Sequence, residues 1–98
     1  MVKKEDVLNA LKNVLDPEIG IDIVNLGLVY DVRVKDDFVD VELTLTSPGC
    51  PVAPQILADA ESKVKKIKGI TKVKVEFVFD PPWTPDKMSD EARMLLGI

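Results

Sequence analysis

The sequence predicts an α+β fold: a two-layer α-β-β-α-β(-α) domain with a small mixed sheet and its long helices on one face. Three observations predict it. Apolar residues in 4–15 recur with helical spacing. Those in 38–46 alternate with polar ones, the signature of a strand with one buried face. A second helical pattern then separates this strand from another alternating stretch at 71–79, so the crossover makes those two strands parallel. With 98 residues the chain suits one domain over 1–98 and is too short for two.

The elements follow in order. In residues 4–15, Val7, Leu8, Leu11, Val14 and Leu15 form one apolar stripe, and Asp16-Pro17 ends it because a residue before proline avoids the helical region. Residues 16–27 form an irregular connection with Gly20 and Gly27 as hinges. Its Ile19, Ile21, Ile23, Val24 and Leu26 need cover, so it should be packed down. Strands follow at 28–35, with Tyr30, Val32 and Val34 inward, and at 38–46, with Val39, Val41, Leu43 and Leu45 inward and Thr44 and Thr46 on the polar face. Asp36-Asp37 is a short polar connection, which makes the pair a hairpin. A helix over 51–68 buries Val52, Ile56, Leu57, Ala60, Val64 and Ile67 and ends before Gly69. The third strand, 71–79, turns Val73, Val75, Phe77 and Phe79 inward. Asp80-Pro81-Pro82-Trp83-Thr84-Pro85 leaves the sheet as a stiff extended segment, and Ser89 caps a last short helix that ends at Gly97.

Composition narrows the function. The net charge is −4, from 13 basic and 17 acidic residues, which argues against nucleic acid. Lys63, Lys65, Lys66 and Lys68 fall at a helix end, where cations complement the dipole. No apolar run approaches the roughly 20 residues that span a membrane, and the N-terminus lacks a signal core, so a cytoplasmic protein is expected. The chain has one cysteine and no histidine. That excludes an internal disulfide, a Cys-His dyad and any complete Cys or His metal site within one chain.

The single cysteine, Cys50, stands in Thr46-Ser47-Pro48-Gly49-Cys50-Pro51, between a strand and a helix. With Pro51 as first helical residue, Cys50 becomes the N-cap, where free N–H groups and the dipole favour a thiolate. Pro54 competes with this by moving the regular helix one turn later. The plain alternative is a small buried hydrophobe. Asp16 and Glu18 flank Pro17 and either bond the local backbone or reach the Cys50 turn. Thr46 either is an ordinary strand residue or hydrogen-bonds the turn. Trp83, the only tryptophan, is a lid on the core or a cover over the cysteine.

Three motifs carry a resemblance. Asp16-Pro17-Glu18-Ile19 with Asp22-Ile23-Val24-Asn25-Leu26-Gly27-Leu28-Val29-Tyr30, then Leu45-Thr46-Ser47-Pro48-Gly49-Cys50-Pro51, then Asp80-Pro81-Pro82-Trp83-Thr84-Pro85 with Met88-Ser89, resemble the SufT/PaaD-type metal–sulfur cluster assembly family in the expected order. The resemblance covers nearly the whole chain. It implies a domain similar to the C-terminal scaffold domain of NifU-type proteins and a role in maturing iron–sulfur proteins. It also implies that Cys50 is the functional residue, with Asp16, Glu18 and Thr46 lining its pocket.

An iron–sulfur cluster takes about four protein ligands, mostly thiolates. One thiolate without imidazole implies that no cluster is bound stably by a monomer. Three arrangements remain: a cluster shared across a homodimer, transient transfer with Cys50 as a metal ligand shared with a partner, or an adaptor between scaffold or carrier proteins and client apoproteins. Competing classes are an interaction module in which Cys50 is structural, and a thiol-dependent enzyme. The latter lacks a histidine base and needs a carboxylate whose pKa is raised by burial.

Overall fold

In the computed structural model, which describes residues 2–46 and 51–98, the chain runs α1 (Lys4–Leu11), β1 (Val29–Lys35), β2 (Phe38–Leu43), α2 (Ala53–Lys65), β3 (Lys72–Phe77), a 3-10 turn (Pro85–Lys87) and α3 (Asp90–Leu96). The sheet order is β1-β2-β3. β1 and β2 are antiparallel, β2 and β3 parallel. The mixed sheet expected from the helical crossover is therefore present. α1 packs on β1 and α2, and α2 packs on β3. Val39, Val41 and Leu43 of the central strand, all fully buried, fill the interface between layers with Val7, Leu11, Ile56, Ala60 and Val64. Burying each of the Val, Leu and Ile side chains among them contributes about 1.5–3 kcal/mol.

The elements are shorter than the sequence patterns, and the differences have causes. α1 stops at Leu11. The chain then becomes extended and Leu15 forms a bridge to Asp22. Extended residues alternate in direction, so Val14 and Asp16 are buried and Leu15, expected in the apolar stripe, is 53% exposed. In β1 the register shifts between Val29 and Asp31. This bulge places Tyr30 off the inward row expected for it, and its hydroxyl donates to the Pro81 carbonyl at 2.8 Å. β2 ends as a ladder at Leu43. Thr44, expected on the polar face, is buried and its Oγ1 has no partner among the described residues. Its N–H donates to the Leu28 carbonyl at 2.8 Å, so the chain leaves the alternating pattern there. β3 ends at Phe77, and Phe79, expected inward, is 47% exposed beside the Phe77 ring.

α2 begins at Ala53 with Val52 as its cap. Pro51 is therefore not the first helical residue, the capping position is taken by Val52, and Cys50 lies outside the described residues. Pro54 decides this: in the first turn its missing N–H needs no partner, so the helix forms around it rather than around Pro51. The helix ends at Lys65, short of residue 68, with Lys63 and Lys65 in its last turn. Gly69 lies a few residues further on, at φ +98°. In α3, Ser89 caps as expected, accepting the Ala92 N–H at 3.1 Å, and Gly97 ends the helix in the left-handed region.

Two fastenings join distant segments. The Asp37 carbonyl accepts the N–H groups of Thr71 and Lys72, and its carboxylate accepts the Thr71 hydroxyl, tying the hairpin turn to the start of β3. That hydroxyl, followed by local backbone donation, holds the Asp37 carboxyl below its ordinary 3.8. Gly27, at φ +76°, lies so close to the Lys87 carbonyl that no Cβ fits there.

Two predictions follow from these fastenings. Gly27→Ala lowers the unfolding free energy in urea by about 2–4 kcal/mol, through left-handed strain plus the Lys87 overlap. Gly20→Ala, at φ +81° with open space around it, costs only about 1 kcal/mol; equal losses would refute the close approach. For Asp37, a folded pKa below the unfolded one contributes stability above pH 3.8 that is lost as pH falls through the folded value. A carboxyl NMR titration should give a midpoint below 3.8 that moves upward in Thr71→Val. No change on substitution would assign the shift to another cause.

Candidate functional site

The opening motif folds into two consecutive closed turns. Asp16 is 2% exposed. Its Oδ1 accepts the Glu18 N–H at 2.9 Å, and its carbonyl accepts the N–H groups of Ile19 and Gly20. The Asp16 N–H donates to the Ile21 carbonyl at 3.0 Å. An aspartate before proline bonds the backbone two residues on readily, which is why this turn forms locally. Asp16 thus bonds the local backbone, one of the two roles expected of it; the other, reaching the Cys50 turn, lies outside the described residues. Glu18 stands exposed on the turn that Asp16 closes.

The second turn is built on Asp22. Its carboxylate accepts the N–H of Asn25 at 3.0 Å and the Asn25 side-chain amide at 2.7 Å. The turn presents three successive residues to the C-terminal segment. The Asn25 carbonyl accepts the Ser89 N–H at 2.8 Å. The Leu26 carbonyl accepts the Trp83 indole N–H at 2.8 Å. Gly27 meets Lys87. Just beyond, the Lys87 ammonium sits 5.1 Å from the centre of the Tyr30 ring, and Tyr30 bonds Pro81. The first and third motifs, separate in sequence, are thus one seam in space.

Trp83 is half-buried and packs against the core, as one of its two readings held. Its single polar atom is committed to Leu26. Thr46 is half-buried and follows the buried Leu45. Cys50, with Ser47, Pro48 and Gly49, lies outside the described residues, as does the expected approach of Asp16, Glu18, Thr46 and Trp83 to its thiol. The structure joins Asp16 to Glu18 and Trp83 to the opening loop. Among the described residues, no group of three or more His, Cys, Asp or Glu side chains is placed to hold a metal ion.

Sequence reasoning missed Asn25, Gly27, Tyr30 and Lys87 as seam residues. Gly27 within an apolar run was the one available signal, since an isolated glycine there marks a close backbone approach. On the far face of the sheet, Arg33 pairs with Glu42 at 2.8 Å, Asp31 at 3.2 Å and Asp40 at 3.6 Å. These partly exposed pairs contribute little individually. No helix among the described residues is long and apolar enough to cross a membrane.

Known proteins similar to this chain show its family. The model of a family described as iron–sulfur cluster assembly protein matches residues 4–77. An Fe-S protein maturation auxiliary factor of Bacillus subtilis, YitW, is 47% identical over 96 residues, covering 97% of this chain and 94% of its own. The maturation auxiliary factor SufT of Staphylococcus aureus is 51% identical over 86 residues, 87% of this chain and 98% of its own. A crystal structure of a domain of unknown function from Bacillus anthracis superposes with a TM-score of 0.93 at 39% identity, covering 97% of this chain and 92% of that one. With its three motifs, its mixed sheet and a match across most of its length, the chain belongs to the iron–sulfur cluster assembly protein family.

Proposed function

We propose that the chain hands iron–sulfur clusters, or positions them, between scaffold or carrier proteins and client apoproteins, with Cys50 as one exchanging ligand. The cluster is cargo. The observation that supports this reading is the nearly full-length similarity to maturation auxiliary factors in a chain with one cysteine and no histidine. A donor set of one thiolate supplies about a quarter of what a cluster needs, so the remaining ligands come from a partner or a second copy.

Ligand exchange is the chemistry one thiolate can perform. The Cys50 thiolate forms a bond to iron as a scaffold thiolate leaves and takes up a proton; a client cysteine then gives up its proton and displaces Cys50 in the same way. No electron changes hands. Asp16 fixes the turn that carries Glu18, and Glu18, Thr46 and Trp83 complete the pocket in this proposal. The role in this proposal is non-catalytic: thiol catalysis favours a base of near-neutral pKa, and the chain has no histidine to supply one.

Anaerobic reconstitution with iron and sulfide tests it. Wild type should take up at most about one cluster per two chains, lose it to a chelator, and speed activation of an apo iron–sulfur enzyme. Cys50→Ala should take up no cluster and give no acceleration. Equal cluster uptake by the two proteins, or full client maturation by Cys50→Ser, would remove Cys50 from the mechanism and leave an interaction module.

A further inference from the structure

β3 is an edge strand. In a strand the N–H and C=O of one residue point to the same side, and successive residues alternate. The Lys72 N–H donates to Asp37 and the Val78 N–H to Leu43, so the even-numbered residues face β2. The backbone groups of Val73, Val75 and Phe77 therefore face the free edge, and their N–H groups have no partner among the described residues. The opposite edge, β1, is broken by its bulge. β3 is not: it keeps register with β2 over all six residues. Bulges blunt an edge against pairing, and an unbroken edge stays competent for it.

A groove of about 590 Å³ lies beside the start of this edge, with Phe38, Ala58, Ser62, Lys65, Lys72 and Val73 among its walls. Its charge runs against that of the chain. Residues 62–75 contain six lysines and no acid, in a chain of net charge −4. On the open face beside the edge, Lys72 makes no ion pair within 4 Å among the described residues, its charge acting on the Asp37 carboxylate, and Lys74 meets Glu76 at 3.6 Å. Glu61 is the one acid on the groove wall.

We propose that the β3 edge captures an extended, acidic segment of a partner protein as a fourth strand. Every second residue of that segment exchanges main-chain hydrogen bonds with Val73, Val75 and Phe77. One row of its side chains is apolar and lies over Ala58 and Val73. The other row is acidic and lies on the open face of the sheet, beside Lys72 and Lys74. Main-chain pairing supplies affinity, and the lysines select the charge. The surface serves recognition independently of Cys50, so its failure leaves the cluster-transfer reading standing.

The full chain, free of cluster, is titrated at low salt with a blocked octapeptide alternating Glu and Val, and followed by amide NMR and hydrogen exchange. Exchange at Val73, Val75 and Phe77 should slow about tenfold or more as their N–H groups become paired. The double variant Lys72→Glu, Lys74→Glu should bind roughly fivefold more weakly, the scale of two exposed ion pairs. Unchanged exchange overturns the proposal and leaves the lysines as guards against edge pairing. Equal binding of a Lys-Val peptide, or of the Glu-Val peptide with alternate amides methylated, overturns it too, because charge selection or main-chain pairing would then be absent.

Discussion

The hydrogen bond from the Trp83 indole to the Leu26 carbonyl is the centre of the seam on which the site region depends. Residues 16–27 make an apolar connection whose backbone groups must be satisfied without a sheet or a long helix. The two aspartate turns satisfy them from within. The seam then fixes the connection against residues 81–89. Without it, Ile23, Leu26 and Leu28, all nearly or fully buried, would lose the contacts that hold their loop down. The fold is thus a small sheet with two helices on one face, and a loop clamped beside it by a strap.

The parts of the fold that were legible are those whose signal is periodic. Val39, Val41 and Leu43 alternate because one face of β2 is buried, and alternation survives any choice of end point. Leu15, Tyr30 and Thr44 were misplaced because each sits where periodicity breaks: at a bridge, at a bulge and just past a ladder's end. The site divides in the same way. Asp16 and Glu18 lie two residues apart and their turn could be read locally. Asn25 and Ser89 are brought together by tertiary packing, which no local pattern encodes. Pro54 was seen as a complication, and it does move the helix start past Pro51.

Membership in the cluster assembly family and the donor count bear on each other. A protein that stores a cluster needs enough ligands to hold it; one that passes it on benefits from having few. In the transfer proposed above, a single thiolate suits the second role, because each bond to iron would be replaced without dismantling the fold. Leu45, which is buried, precedes residues 47–50, and α2 begins shortly after them.

The seam also carries its own reporter. Trp83 is the chain's one tryptophan, and its indole is half-buried and bonded to the opening loop. Its fluorescence therefore reads a single event, the meeting of loop and strap, without any label. A ligand, a partner or a variant that loosens the loop would redden and quench that emission while the helices and sheet stay folded, which separates a change at the site region from loss of the whole structure.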